Sequence, residues 1–395
     1  MAESRDVRSA MLVAIAGHDG ILPLDAALVA RDWIAAGRRL GLPDSMVDVG
    51  ERGEISERWL ASTTKADNRV GPDDEGISYV RTSAGDRWDL REVIAAVPEE
   101  VLGAEYARTH RGLGRLAKIY DFASRIPMHI HPPQREADKV GLRSKDEASY
   151  FPPDVDRGAH PESFFGLIPT DDHEGLRGRM LELLERWHTD EILGLSPAYL
   201  DIPEAGFFTP SGVLHAPGTA LTIEIQEDSD TLAMLQGINS GRPVRKELLF
   251  KDISDEDRRA HGEAALLEWI DWAENLDPRF FERHRILPRA ITTMPGVEES
   301  WILYGSRKFS GKRLVLEPGA RGTLRENGVF SLLVWRGEGT IGGRPVRAGS
   351  LSDDELLVVH DRAVQPIEYA NTGTEPMVVI KFFGPDVNPD SPLMA

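Results

Sequence analysis

The chain of 395 residues contains no cysteine. That excludes a disulfide framework and any thiolate nucleophile, and it leaves His and carboxylates as the metal donors. Long apolar runs are also missing. Met11–Gly17 is the one apolar stretch near the N-terminus, too short to cross a bilayer and without the cleavage pattern of a signal peptide. A cytoplasmic location is therefore the expectation. Basic residues are scarce beside acidic ones, 46 against 65, giving a formal net charge of −19 spread along the chain. Nucleic acid and anionic membranes are poor partners for such a surface. A small-molecule ligand is not excluded, because local charges set a pocket. Gly112-Leu113-Gly114 lacks the third glycine and the flanking strand of a dinucleotide fingerprint.

What is present is an ordinary globular composition, 41% hydrophobic and 28% charged, long enough for two or three packed domains. Residues from about 8 to 40 read as helix, on the helical spacing of apolar residues in 26–36. A helix is predicted from Asp89, as N-cap, to Val101, and another over 175–190, where Leu176, Met180, Leu183, Leu184 and Trp187 share a face. A third is predicted over 254–276 with Ser254 as N-cap. Residues 114–122 and 219–226 read as strands. From about 290 onward, short β-branched and aromatic runs alternate with Gly, Pro, Asn and Asp, as in an all-β sandwich or barrel. The expected division is an N-terminal region with a metal-binding barrel over 1–250 (with a helical insertion at about 171–195), a helical segment over 251–289 and a C-terminal barrel over 290–395.

Met128-His129-Ile130-His131-Pro132 is the centre of the functional reading. Alternate residues of a strand share a face, so both imidazoles can aim at one point while Ile130 packs on the other side. Lys145 and Glu147 share a face if extended, and His215 closes a strand before the Pro217-Gly218 turn. Glu224 lies on the next strand, with Thr222 and Gln226 on its face and Leu221, Ile223 and Ile225 on the other. Two clustered histidines, a carboxylate about 16 residues on and a distant histidine follow the ligand order of cupins. Three imidazoles and one carboxylate suit a divalent first-row metal. His360 has no His-x-His partner and reads as structural, and Asp171-Asp172-His173-Glu174 reads as an acidic helix start.

The segment Leu116–Pro132 resembles the stretch of type I phosphomannose isomerases that ends in their Gln-x-His-Pro metal motif. Lys145-Asp146-Glu147 resembles their Lys-Pro-Glu, and Gly206–Ala216 resembles the segment that ends in their last metal-binding histidine. Thr222–Asp230 is similar to their Glu-Ile-Gln-x-x-Ser-Asp, and Glu57–Ser62 to their Glu-Ser-Trp-x-x-Ser. The resemblance implies a mainly β cupin fold, a jelly-roll barrel with flanking helices, followed by a second, metal-free cupin-like barrel. It implies a metal held by His129, His131, Glu147 and His215, with zinc the first expectation and Mn, Fe, Co or Ni as alternatives. Lys145 and Glu224 then fall in the active site, Glu224 as base or proton shuttle and Lys145 polarising or orienting an oxygen. The reaction implied is aldose–ketose isomerisation through an enediolate, with mannose 6-phosphate and fructose 6-phosphate as the default pair.

The sequence also departs from that pattern. His129 stands where the family has Gln, and Pro127 where it has a serine near the substrate phosphate. Met234 stands where it has a catalytic arginine, which makes Arg245 and Lys246, with Gln226, the candidate substrate-binding residues and a non-phosphorylated sugar an alternative substrate. Two other readings use the same ligands: an Fe or Mn cupin dioxygenase, and a non-catalytic sugar-sensing cupin.

Overall fold

The structure is a computed structural model that describes residues 6–82 and 85–394. Its elements stack as layers, each sheet hiding an apolar face against the next. The first sandwich pairs two antiparallel sheets. The seven-stranded one runs Arg285–Ile286, Gly206–Thr209, Glu147–Tyr150, Thr222–Glu227, Arg115–Tyr120, Glu54–Leu60, Ala27–Arg31. The five-stranded one runs Ala198–Leu200, Glu162–Phe165, His215–Ala216, His129–Ile130, Ala233–Met234. The second sandwich pairs a nine-stranded sheet, built mainly from strands between 289 and 383, with a four-stranded one. Among the described residues no sheet closes on itself, so each expected barrel is an open sandwich. No helix is long and apolar enough to cross a membrane.

Alternation along Thr222–Glu227 explains the stacking. Ile223 and Ile225 pack with Ile119, Ala148, Trp301, Leu303, Ile380 and Phe382, which joins the two sandwiches. The opposite face of that strand carries Thr222, Glu224 and Gln226 into the interior of the first sandwich, toward the five-stranded sheet. The outer face of the five-stranded sheet is covered by helices: Met128, Ile130 and Ala233 pack with Met180, Leu184, Leu266 and Trp269. Both sheets that carry the candidate ligands are thus backed by apolar layers.

The N-terminal segment departs from its expected form. Only Val7–Gly17 is helical; Ile21–Asp25 and Ala27–Arg31 are strands. Ile21, Leu22 and Pro23 pair with Val358, Leu357 and Leu356 of the C-terminal sheet, and Ala27–Arg31 pairs with Glu54–Leu60. The apolar run at 26–36 fits either period, and cross-strand burial overrode local preference. The pairing of Ile21–Asp25 also crosses the expected domain boundaries. The helix predicted over 254–276 is three short pieces, Asp255–His261, a 3-10 turn Gly262–Glu268, and Trp272–Asn275. Gly262, at φ +56, ends the first of them, since that left-handed conformation is open to glycine. Ser254 does cap it, accepting from the Asp257 N–H, and Asp89 caps Leu90–Ala96 through the Arg91 N–H. The predicted helix over 175–190 is His173–Arg186.

Candidate active site

His129 and His215 are cross-strand partners in the five-stranded sheet, so their side chains share a face. Their rings lie 4.0 Å apart, centroid to centroid, and the His131 ring lies 5.2 Å and 4.9 Å from them. One ligand nitrogen from each lies within 4.8 Å of the other two, and all three residues are buried. Each Nδ1 donates to a main-chain carbonyl: His129 to Pro127 O at 2.9 Å, His131 to Thr231 O at 2.8 Å, His215 to Val213 O at 3.0 Å. A carbonyl can only accept, so the neutral rings carry their lone pairs on Nε2. This second hydrogen bond is how proteins fix a metal-ligating imidazole in orientation and tautomer.

Glu147 meets this cluster from the facing sheet. Its Oε2 lies 3.1 Å from His131 Nε2 and its Oε1 lies 3.1 Å from His215 Nε2. A lone pair facing a carboxylate at that distance repels it unless a proton or a cation lies between. Protonating His129 or His131 is disfavoured. Burial, then the neighbouring Lys145, pushes His131 down to about 3, and burial with the two other imidazoles pushes His129 well down. His215 Nε2 is buried and makes no hydrogen bond at all. The three imidazoles therefore fit a divalent cation, and Glu147 lies against two of them. Burial opposes ionisation of Glu147, but the ammonium of Lys145 leads the influences that hold its carboxyl well below the usual range.

Lys145 Nζ lies 3.1 Å from Glu147 Oε2, which joins Lys145 to the ligand cluster. Glu224 is buried on Thr222–Glu227, with Lys118 and Ser149 as its cross-strand neighbours. Burial, then the negative charge of Glu147, raises its carboxyl above the ordinary value against the pull of Lys118 and Lys145. Lys118 Nζ sits 3.1 Å from Glu224 Oε1. Gln226 pairs across the sheet with Glu147; its side-chain amide donates to Ser229 O, and its Oε1 is buried without a partner.

Several buried charges here were missed by the sequence reading. Arg31 Nε donates to Glu57 Oε1 at 2.5 Å, and Arg31 Nη2 lies 3.2 Å from Asp230 Oδ1. Glu57 also accepts from Trp59 Nε1 at 2.8 Å and lies 3.8 Å from Lys118 Nζ. Asp230, Arg31, Glu57, Lys118 and Glu224 thus form one line of alternating charges through the sandwich interior. The available signal was a charged residue on the inward face of an otherwise apolar strand, as at Lys118 between Leu116 and Tyr120. Arg31 and Asp230, with Trp33 and Met234, line a cleft of about 490 Å³. Met234 is the cross-strand partner of His129, so this cleft opens beside the ligand cluster.

The substrate-binding candidates divide. Arg245 lines the rim of that cleft, with its guanidinium 3.3 Å from Asp32 Oδ1. Lys246 points elsewhere. The turn Lys246–Leu249 directs its ammonium to the helical layer, 2.5 Å from Glu263 Oε1 and 3.2 Å from Glu185 O. Pro127, at the position of the family's serine, contributes its carbonyl to orient His129.

No protein-family model matches the chain, and no curated protein sequence does. Solved structures do. The mannose 6-phosphate isomerase of Bacillus subtilis superposes with a TM-score of 0.65 at 16% identity, covering 92% of this chain and 99% of that one. A single-site mutant of phosphomannose isomerase from Salmonella typhimurium gives 0.64 at 10% identity, covering 93% and 100%. A zinc-bound mannose 6-phosphate isomerase gives 0.62 at 11%, again covering 93% and 100%. The match runs nearly end to end in both directions, and the fold of this chain is that of the phosphomannose isomerases.

Proposed function

We propose that this protein is a metal-dependent aldose–ketose isomerase of the phosphomannose isomerase type. The observation that carries the reading is the donor set: three clustered imidazoles whose Nδ1 atoms are all committed to carbonyls, two of them, His131 and His215, presenting Nε2 to the Glu147 carboxylate inside this fold. A divalent cation, zinc first, would supply polarisation of a sugar carbonyl and stabilise negative charge on oxygen. Glu224 is the group we assign to move the proton between C1 and C2. A buried carboxyl raised above its ordinary value is better matched to that task than an exposed one. Lys118 holds the Glu224 carboxylate in place, and Lys145 orients Glu147 and a substrate oxygen. Burial of the whole group keeps water from the reacting carbons.

A non-phosphorylated sugar is favoured over a sugar phosphate by one feature. Arg31, Lys118 and Lys145, the cations along the line of buried charges in the first sandwich, are each matched to carboxylates. Met234 adds no charge where an arginine would bind an anion. The test is metal analysis of the purified protein followed by a panel of free sugars and sugar phosphates. Isomerisation of at least one of them is expected, and Glu224→Gln should lower kcat by roughly 10²–10⁴-fold with metal content unchanged. Full activity in Glu224→Gln would remove Glu224 from the mechanism. Oxygen uptake with bound iron would replace the isomerase by a dioxygenase, and sugar binding without turnover would replace it by a sensor.

A further inference from the structure

The loop 110–114, between the helix Ala104–Thr109 and the strand Arg115–Tyr120, helps to line a second concave site of about 470 Å³. Arg91, Arg111 and Arg143 reach it from three separate segments, together with Thr63, Thr109 and His110. Ile94 and Ala95 of the helix Leu90–Ala96 add an apolar wall. Asp228 is the carboxylate among the lining residues, and it accepts a hydrogen bond from Thr64. Arg91 is tied to Asp89, and His110 Nε2 lies 3.3 Å from Asp386. Among the described residues, Arg111 and Arg143 have no hydrogen-bond or ion-pair partner for their guanidinium groups. A Cβ built on Gly112 would meet nothing within 4 Å, so the loop backbone is open to a ligand.

We propose that this cleft binds a small organic phosphate, with Arg111 and Arg143 gripping the phosphate oxygens and Ile94 and Ala95 against the organic part. A planar guanidinium offers two parallel donors to a phosphate, and concave walls strengthen the attraction by focusing the field. The local excess of positive charge stands out in a chain whose net charge is −19. The site is cupped and of small-ligand size, unlike a flat surface for a membrane or nucleic acid. It also lies behind the metal centre. The Arg143 carbonyl accepts from Ser229 Oγ at 2.9 Å and Thr231 Oγ1 at 3.3 Å, and the Thr231 carbonyl holds His131. The inference does not depend on the isomerase reading.

Calorimetric titration of the full-length protein with pyrophosphate tests it. Saturable binding that weakens with added salt is expected. The pair Arg111→Glu/Arg143→Glu should weaken it by about tenfold or more, since two charge-assisted contacts are lost and each 1.4 kcal/mol is tenfold. Arg111→Gln/Arg143→Gln removes the charges without reversing them and decides the matter if the glutamate pair does not fold. The control pair Arg259→Glu/Arg325→Glu makes the same change in net charge on exposed residues away from the cleft. Absence of binding to the wild type would overturn the proposal. So would an affinity unchanged in both arginine pairs, which would place pyrophosphate elsewhere on the protein. Equal weakening by the control pair would overturn it too, because overall charge would then be responsible.

Discussion

His215→Ala is expected to leave the purified protein with little bound metal after dialysis and to abolish sugar turnover. In the proposed centre His215 is one of four donors, and its Nε2 is buried without a hydrogen bond. Removing even a group that only orients a ligand weakens metal binding by roughly 10–100-fold, so loss of a donor should exceed about 100-fold. Glu147 would then face His131 and Lys145 alone, and the opening left by the imidazole would admit water. His261→Ala, on an exposed helix, should keep its full metal content. Glu224→Gln should keep its metal and lose its rate, which separates a ligand from a base. Metal titration followed by activity measurement reads all three variants. Unchanged metal content in His215→Ala would dismantle the proposed centre. A pH titration adds a second check. His129 and His131 are held well below the ordinary imidazole value of 6.5, so they stay neutral, and able to bind metal, as the pH falls through 6.5. Metal release centred near 6.5 would contradict the burial of the site.

The ligand cluster was legible in the sequence because most of its geometry is local. His129 and His131 are separated by one residue of extended chain, and Ile130 between them is apolar. Glu147 and His215 needed more, an order of ligands along the chain; the two facing sheets bring both of them beside His131. The alternation of Thr222–Glu227 was legible for the same reason: period two survives any packing of the strand. What was not legible depends on partners distant in sequence. Arg31 lies within a run that reads as helix, and only pairing with Glu54–Leu60 makes it a strand; a β-bulge between Val29 and Ala30 precedes Arg31. Its bond to Asp230 spans 199 positions. Lys118 had no visible partner until the register set it opposite Glu224. Nor could the sequence tell that the first strand, Ile21–Asp25, would add to the C-terminal sheet rather than to its own sandwich.

The second large effect is expected in the C-terminal sandwich, whose interior is also charged. Lys381 is wholly buried, with Nζ 2.7 Å from Glu299 Oε1 and 2.6 Å from Glu326 Oε1. Lys312 Nζ lies 2.5 Å from Glu326 Oε2 and 3.9 Å from Glu299 Oε2. Two ammonium groups and two carboxylates therefore neutralise one another, and aromatic faces line them, Tyr369 at 4.7 Å from Lys381 and Trp301 at 4.8 Å from Lys312. Here the fold supplies all the neutralising cations itself, where in the first sandwich Glu147 has Lys145 on one side and imidazole nitrogens on the other. Lys381→Met keeps most of the length of the side chain and removes the charge. It leaves two buried carboxylates with one ammonium, and breaking a buried pair in this way costs about 3–5 kcal/mol. A lower denaturant midpoint for the full-length chain is the expected result, with part of the loss recovered by adding Glu299→Gln, which removes the carboxylate left unmatched. The pH dependence follows from Glu326. Burial raises its carboxyl, but Lys381 and Lys312 outweigh that and hold it below the ordinary value of 4.5. Its contribution is then present above pH 4.5 and is lost as pH falls through the lower folded value. Without Lys381 the folded value rises, so the acid-induced loss of stability should begin at higher pH than in the wild type. An unchanged midpoint and an unchanged acid limb in Lys381→Met would mean that the cluster contributes nothing, and that the buried charges are tolerated rather than used.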